Sequence, residues 1–312
     1  MKTHFPLDAL SPATTGTASA VLTRRKFVGG ALLTMAAASG LRAADETPWQ
    51  VGCYTRPWNK HDYRVAFDAI ADAGFKFAGL MTAKTGMLLT PDTTLEQSAE
   101  MATEAKARGL GIASAFGADF MKKSSVAESI VRLRRLVDNV AACGCPGLLL
   151  GGAGSPEAVD DYYKVVAECC DYAAAKRVGL TIKPHNGPSS TGALCRRLID
   201  KVGHKNFRLT YDPGNVFKHS GNTVNPVDDA ATVDGIVAGF CVKDFRLPND
   251  VEITPGTGQV DFARVVTRLR RGGFTRGPAL IECLDAGDIA HVTAEAKKTR
   301  LFIEALLARE LP

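Results

Sequence analysis

The sequence predicts a (β/α)8 barrel, in which eight parallel strands alternate with eight helices around a single core. Short apolar segments, typical of strands buried in a parallel sheet, alternate with amphipathic helical segments over residues 49–308. Eight such units match the roughly 250 residues that this fold usually needs. The alternative is an open doubly wound sheet, which is disfavoured because no G-x-G-x-x-G sequence opens the first helix.

The predicted elements alternate regularly along the chain. The strands share short apolar runs and are predicted over 49–54, 75–81, 111–116, 147–150, 180–183, 207–211, 236–242 and 279–283. The helices share apolar residues at intervals of three and four and are predicted over 63–73, 94–108, 125–142, 156–177, 191–202, 262–271 and 292–308. Only a short helix is expected within 219–234, between the sixth and seventh strands.

Local signals mark several of these boundaries. Gly151 and Gly152 end the fourth strand, and Pro156 stands at a suitable first position of the helix that follows. In the helix over 125–142, Leu133 is one of six apolar residues that recur on one face. These signals locate the carboxyl ends of the strands, where barrel enzymes carry their active sites.

Charge is distributed unevenly along the 312 residues. Residues 1–43 contain five basic residues against Asp8 alone, a net charge of +4, whereas the whole chain carries +5. The rest of the chain therefore carries +1, and we expect no nucleic-acid partner, because such a partner needs a basic surface. With 46% hydrophobic and 23% charged residues, the chain also lies outside the disordered and collagen-like classes.

Residues 1–44 are predicted to be a signal peptide. The paired arginines Arg24 and Arg25, followed by Lys-Phe, resemble the twin-arginine motif, and the apolar segment 28–39 comes next. That segment is shorter than the roughly 20 residues that span a bilayer, so no stable membrane anchor is expected. We expect export to the periplasm and one barrel domain over 45–312, the alternative being a basic amphipathic N-terminal helix.

The eight cysteines are predicted to be free and buried. Cys169 and Cys170 are adjacent within a helical pattern, and Cys143 and Cys145 bracket a glycine at a helix end. Free cysteine behaves as a small buried hydrophobe. The alternative is a metal or redox site at Cys143-x-Cys145, which lacks a second Cys or His pair at zinc spacing.

Ionisable residues cluster after the last four predicted strands. Lys183 and His185 end the fifth strand, Asp212 ends the sixth, Lys243 the seventh and Glu282 the eighth. Alternation along an extended chain places Lys183 and His185 on one face. Because the carboxyl ends of barrel strands meet at one mouth, we expect these side chains to approach one another.

Four motifs in this order resemble the sugar-phosphate isomerase/epimerase family, the xylose isomerase-like TIM barrels, over about residues 49–306. They are Tyr-Asp-Pro-Gly-Asn at 211–215, Val-Lys-Asp at 242–244, Pro-Gly-Thr-Gly-Gln-Val-Asp-Phe at 255–262 and Ala-Leu-Ile-Glu at 279–282. The resemblance implies a divalent metal held by Glu, Asp, His and Glu from the ends of strands five to eight. It also implies that the two glutamates act as the acid/base pair next to a carbonyl.

The chain departs from this pattern at two of the four ligand positions. Asp212 and Glu282 match, but Lys183 stands where the family has the first glutamate, and Cys241 stands where it has the histidine. An ammonium group cannot ligate a metal and repels a nearby one. The two-glutamate mechanism therefore cannot operate unchanged.

Three interpretations of this mouth remain. In the first, His185, Asp212 and Glu282 hold a divalent metal (Mn, Mg, Co or Zn), and a thiolate from Cys241 would favour zinc. In the second, Lys183 replaces the metal as a fixed positive charge that polarises a carbonyl, or acts as a base or Schiff-base nucleophile in a metal-free lyase. In the third, the barrel has lost catalysis and only binds carbohydrate.

Three of these residues also have structural alternatives. His185, near Pro184 and Gly187, is suited to a loop in which its hydrogen bonds are satisfied. Asp212 precedes Pro-Gly and is suited to ordering a turn. Lys243 and Asp244 are suited to a local ion pair at the rim. Glu282 is harder to explain structurally, because an unpaired buried carboxylate is costly.

The sequence thus predicts a sugar isomerase/epimerase-like enzyme that transfers a proton next to a carbonyl of a carbohydrate or polyol, with metal assistance and no nucleotide cofactor. We assign catalysis to Glu282 and Lys183, and substrate oxygens to Lys243, Asn215 and Arg246. Export argues against a phosphorylated cytoplasmic sugar. A nuclease on the same fold would need several more histidines at strand ends.

Overall fold

The computed structural model describes residues 49–309, and the predicted signal peptide at 1–44 lies outside them. Within the described residues eight parallel strands close into a barrel in chain order, which confirms the predicted (β/α)8 TIM barrel. The strands are β1 (Trp49–Tyr54), β2 (Phe77–Leu80), β3 (Gly111–Gly117), β4 (Gly147–Leu150), β5 (Gly179–Ile182), β6 (Phe207–Tyr211), β7 (Val237–Val242) and β8 (Gly277–Ile281). β1 pairs with both β2 and β8, so the sheet has no open edge.

Helices on the outside of the barrel cover the strands. They are α1 (Tyr63–Asp72), α2 (Leu95–Ala107), α3 (Val126–Ala142), α4 (Val159–Ala175), α5 (Gly192–Val202), α6 (Pro213–His219), α7 (Pro226–Asp229), α8 (Phe262–Arg271) and α9 (Ile289–Leu307). Thr94 and Ser125 begin α2 and α3 with reciprocal capping boxes, in which Gln97 and Glu128 complete the pair of hydrogen bonds. Across residues 49–309, every helix is too short or too polar to cross a bilayer.

Several ends differ from the predicted ones by one or two residues. β5 ends at Ile182 and β8 at Ile281, so Lys183 and Glu282 are the first residues after their strands. The reason is that the last backbone pairing of β8 with β7 joins Ile281 to Val242. The loop after β2 also forms a small antiparallel hairpin that the apolar pattern does not indicate.

Apolar side chains fill part of the interior of the barrel. Tyr54, Met81, Ala113, Leu149 and Leu280 form one buried cluster. Gly79 is required there, because a Cβ at this position would lie 2.3 Å from the Tyr54 ring. This cluster draws on β1, β3, β4, β8 and the residue after β2, so apolar packing fills part of the barrel interior.

All eight cysteines lie among the described residues, and all are buried and unpaired, as predicted. Burial raises the pKa of Cys143 and of Cys145 to about 12. Their thiols donate to the carbonyl oxygens of Ser98 and Gly147, each at 3.3 Å. These contacts support a packing role for Cys143 and Cys145.

Candidate active site

Four charged side chains meet at the carboxyl end of the barrel. Lys183, Asp212, Lys243 and Glu282 are the first residues after β5, β6, β7 and β8, respectively. The exposed fraction of these four residues ranges from 0% for Asp212 to 5% for Glu282. We call them the ion quartet. The barrel topology thus brings together four of the residues that the sequence predicts for the site.

Each ammonium group of the ion quartet contacts both carboxylates. Lys183 Nζ lies 3.1 Å from Asp212 Oδ2 and also donates to Glu282 Oε2. Lys243 Nζ lies 2.6 Å from Glu282 Oε1 and 3.5 Å from Asp212 Oδ2. Two positive and two negative charges therefore balance among side chains that are almost fully buried. Such a group is stable only while all its members are present.

The pKa shifts of Lys183, Lys243 and Glu282 favour their charged forms. Burial disfavours the Lys183 ammonium, but the acidic groups around it, Glu282 first, together outweigh this and raise the pKa of Lys183. The pKa of Lys243 is raised well above its ordinary range, because Asp212 and Glu282 outweigh burial. Burial would raise the pKa of Glu282, but Lys183 and Lys243 hold it well below its ordinary range. Lys183 is therefore an ammonium at neutral pH, which disfavours a Schiff-base role.

Cys241 and Arg56 also reach Glu282. The Cys241 thiol donates to Glu282 Oε2 at 3.1 Å, and burial raises the pKa of this thiol well above its ordinary value. Arg56 Nη1 lies 3.5 Å from Glu282 Oε1, and its other amino group pairs with Glu252. Cys241 is thus a neutral hydrogen-bond donor here, whereas a zinc ligand would be a thiolate.

Asp212 has both of the roles that its sequence context indicates. Its Oδ1 accepts the backbone N–H of Asn215 at 2.9 Å and caps α6, while its Oδ2 belongs to the ion quartet. The Asn215 side chain is buried, donating to the Pro184 carbonyl oxygen at 2.7 Å and accepting from Lys243 Nζ at 3.2 Å. Asn215 therefore supports Lys243, and both polar ends of its amide already have protein partners.

His185 and Arg246 lie farther out. The half-buried His185 ring packs against His219 with ring centroids 4.9 Å apart. Burial and the two quartet lysines lower the pKa of His185, and burial lowers that of His219 to about 4, so both rings are neutral at pH 7. Arg246 is exposed at the rim, where its guanidinium lies 3.8 Å from the Asp285 carboxylate.

The alternative ion pair between Lys243 and Asp244 is not formed. Lys243 points into the ion quartet, whereas the buried Asp244 carboxylate accepts four backbone N–H groups, those of residues 245, 256, 258 and 260, at 2.8–3.0 Å. Gly258 allows this close approach, since a Cβ there would lie 2.5 Å from Asp244 Oδ1. Adjacent residues on an extended chain point to opposite sides, which is why the two charges separate.

Two residues of the site are absent from the sequence-based assignment. Arg56 follows β1 by two residues and contacts Glu282, although the sequence points only to the last four strands. Glu252 holds Arg56 from the loop after β7. Arg56 could have been assigned to the site because it lies just beyond the end of a predicted strand. Nothing in the local sequence marks Glu252 as a residue of the site.

Three potential metal ligands lie together among the described residues. Ligand atoms of Asp212, Cys241 and Glu282 all lie within 4.8 Å of one another, and His185 is outside this group. However, both carboxylate oxygens of Asp212 and both of Glu282 already accept hydrogen bonds. A cation here would have to displace an ammonium group or lie beside it, and like charges repel. The residues as arranged therefore do not fit a resident divalent metal.

Two cavities open at the carboxyl end of the barrel, and the first of them shares Arg56 and Glu252 with the site. One, of about 160 Å³, lies between the loops that follow β1 and β8 and is lined by Arg56, Trp58 and Glu252 among others. The second, of about 350 Å³, lies at the ends of β3 and β4 and is lined by Phe116 and Tyr162 among others. Both belong to the same carboxyl end of the barrel as the ion quartet, and there a small polar molecule would meet aromatic and charged walls.

Comparison with known proteins agrees with this architecture. A family model described as xylose isomerase-like TIM barrel matches residues 67–306. No curated protein matches the chain.

Solved structures share the fold over nearly all of their own length. A xylose isomerase domain protein from Planctomyces limnophilus is 19% identical with a TM-score of 0.65, over 83% of this chain and 97% of that one. A D-psicose 3-epimerase studied in the presence of D-fructose is 16% identical with a TM-score of 0.68, over 83% of this chain and 100% of that one. The D-psicose 3-epimerase of Clostridium cellulolyticum H10, studied with D-tagatose, is 13% identical with a TM-score of 0.67, over 83% and 99%. At these identities the likeness establishes the fold alone.

Proposed function

The chain belongs to the xylose isomerase-like TIM barrel family, and on that premise we propose that it isomerises or epimerises a carbohydrate or polyol by moving a proton next to a carbonyl. One observation carries the proposal: two carboxylates and two ammonium groups meet at the catalytic end of the barrel. A base and a fixed positive charge are the two parts that such a proton transfer needs.

Lys183 and Lys243 supply the positive charge. A substrate carbonyl oxygen that accepts a hydrogen bond from Lys183 becomes polarised, and the adjacent C–H becomes more acidic. When the proton leaves, the negative charge develops on that oxygen, and the ammonium group is already placed to stabilise it. Lys243, held by Asn215, would orient a neighbouring substrate hydroxyl.

Glu282 is the proposed base. Its Oε2 accepts from Lys183 in the resting site, which makes it a weak base. When Lys183 turns to the substrate oxygen, Oε2 loses that partner and becomes more basic. The carboxylate then takes the proton from carbon, which leaves an enediolate. Isomerisation follows when the proton returns to the neighbouring carbon while the hydroxyl proton passes from one oxygen to the other, and epimerisation follows when a proton reaches the opposite face of the same carbon, so no atom is lost from the sugar.

Deuterium exchange tests this proposal. The full-length chain is incubated in heavy water with a panel of ketoses that includes D-fructose and D-tagatose, and carbon-bound deuterium is followed by NMR. We expect incorporation next to the carbonyl, reduced about 100-fold or more by Glu282→Gln. The exposed charge change Lys201→Met is the matched control and should leave the rate unchanged. Absence of exchange across the panel would refute the enzymatic proposal.

A barrel that only binds carbohydrate is the second candidate. The observation that favours it is the saturation of the ion quartet, in which each carboxylate oxygen already has a protein donor. Saturable binding of a sugar by calorimetry, without deuterium exchange of that sugar, would support this candidate over catalysis.

We also propose that residues 1–44 direct the protein to the periplasm through a twin-arginine signal. The support is the Arg24-Arg25-Lys26-Phe27 sequence before an apolar segment. Cell fractionation tests this, because Arg24→Lys with Arg25→Lys should retain the protein in the cytoplasm. Unchanged periplasmic recovery of this double variant would contradict the proposal.

A further inference from the structure

We infer that this barrel works without a resident divalent cation, because the ammonium groups of Lys183 and Lys243 hold the position and the charge that such a cation would have between Asp212 and Glu282. The inference concerns the same site as the proposed function, but it makes a separate claim about occupancy. It can therefore succeed or fail independently of any activity on sugars.

The charges support the replacement of a divalent cation by the two ammonium groups. A divalent cation between two carboxylates would bring two positive charges into contact with both anions. The two ammonium groups bring the same total, and each contacts both anions, at 3.1 Å from Lys183 to Asp212 and at 2.6 Å from Lys243 to Glu282. Adding a cation to this set would leave the buried site with two uncompensated positive charges, which a low-dielectric environment strongly disfavours.

The ligand atoms are also committed elsewhere. Asp212 Oδ1 accepts the Asn215 backbone N–H, and its Oδ2 accepts from Lys183. Glu282 Oε1 accepts from Lys243, and its Oε2 accepts from both Lys183 and Cys241. A metal ion would need several of these lone pairs at about 2.0–2.6 Å. Binding one would thus require the removal of an ammonium group from the space between the carboxylates.

This arrangement identifies the substitutions that would create a metal site. Lys183 and Cys241 both donate to the same oxygen, Glu282 Oε2, so both side chains border the place where a cation would sit. Lys183→Glu removes one ammonium group and adds a carboxylate, and Cys241→His replaces a neutral thiol with an imidazole nitrogen. Together with Asp212 and Glu282, these changes offer four oxygen and nitrogen ligands, a set that suits manganese, cobalt or zinc.

Manganese titration tests the inference on the full-length chain. Each protein is stripped with EDTA, dialysed and titrated with Mn²⁺, and free Mn²⁺ is followed by its electron paramagnetic resonance signal. We expect no saturable binding by the wild type, and binding of about one ion per chain by the Lys183→Glu/Cys241→His variant. Lys297→Glu, an exposed charge reversal on α9, is the control and should behave as the wild type.

Saturable binding of one Mn²⁺ by the wild type, abolished by Asp212→Asn, would overturn the inference. A double variant that folds by circular dichroism but binds no ion would overturn it as well. If the double variant does not fold, the wild-type titration alone decides. Failure of deuterium exchange would refute the proposed function and leave this result untouched, so the two failures are distinguishable.

Discussion

Removing one ammonium group from the ion quartet should destabilise the barrel strongly. In Lys183→Met the side chain keeps its approximate length but loses its charge, and Asp212 and Glu282 lose a shared partner. The quartet, neutral in the wild type, then carries one uncompensated negative charge at a position that is 3% exposed. Breaking a buried ion pair in this way usually costs about 3–5 kcal/mol.

The distance between Lys183 and Asp212 gives a similar estimate of the stability lost in Lys183→Met. One unit charge pair at the 3.1 Å that separates Lys183 from Asp212 is worth about 5 kcal/mol at an effective dielectric constant of about 20. Part of this is recovered, because the variant no longer desolvates an ammonium group. We therefore expect a loss of about 3–5 kcal/mol, and for a domain of this size a fall in Tm of about 6–20 °C.

Urea and thermal unfolding followed by circular dichroism measure this loss. Lys201→Met is the matched control, because Lys201 forms an ion pair of 2.8 Å with Asp160 in which both side chains are well exposed. Such pairs contribute less than about 1 kcal/mol. A Lys183→Met variant that unfolds within about 1 kcal/mol of Lys201→Met would refute the argument that the quartet is a preformed, interdependent group.

The difference between wild type and Lys183→Met should also depend on pH. The folded state lowers the pKa of Glu282 below its ordinary 4.5, so this contribution is complete above pH 4.5 and is lost as the pH falls through the folded value. The folded state raises the pKa of Lys183 above its ordinary 10.5, so that contribution is lost as the pH rises through the folded value. The difference is therefore largest between pH 4.5 and 10.5. If wild type and Lys183→Met differed in stability by as much or more at about pH 3, the predicted loss of this difference at low pH would be wrong.

Three further predictions concern the structure around the site. Asp244→Asn should lower the free energy of unfolding by about 3 kcal/mol, because the loop amides lose a carboxylate acceptor. Hydrogen exchange at the amides of residues 256 and 258 should become faster, and unchanged exchange would contradict this role of Asp244. Gly79→Ala should lower the free energy of unfolding by about 1–3 kcal/mol, because the added Cβ clashes with Tyr54. Gly154→Ala is the control: its Cβ has open space, so it should leave stability unchanged in the same urea assay. Equal effects of the two substitutions would contradict the clash. A thiol reagent should label few of the eight cysteines in the native protein and all of them in guanidinium, whereas rapid native labelling would contradict their burial.

Much of the fold could be predicted because it depends on periodicity. Parallel strands buried on both faces are written as short apolar runs, and the helices between them repeat apolar residues at helical spacing. The closed barrel then forces all carboxyl ends to one mouth, so four residues from four separate strands could be placed together before any contact was known. The predicted strand ends differ from the observed ones by a residue or two: Lys183 and Glu282 were predicted inside their strands and lie just beyond them.

Contacts between distant segments could not be predicted in the same way. Arg56 reaches Glu282 across the β1–β8 seam, and Glu252 comes from a loop whose path depends on tertiary packing. In contrast, the separation of Lys243 from Asp244 could have been predicted, because alternation already places neighbours on opposite sides. The local ion pair was the structural alternative for Lys243, and the contacts of Lys243 with Asp212 and Glu282 exclude it.

The neutrality of the ion quartet links its stability to its proposed chemistry. At rest, each carboxylate is held by ammonium groups, so the base is weak and the positive charges are engaged. A carbonyl oxygen that takes over the Lys183 hydrogen bond changes both at once, because the cation gains a substrate partner and Glu282 loses a protein one. An ammonium group can exchange one hydrogen-bond acceptor for another, provided that the substrate oxygen offsets the charge-assisted contact that Lys183 gives up. The lysines would thus couple substrate binding to activation of the base.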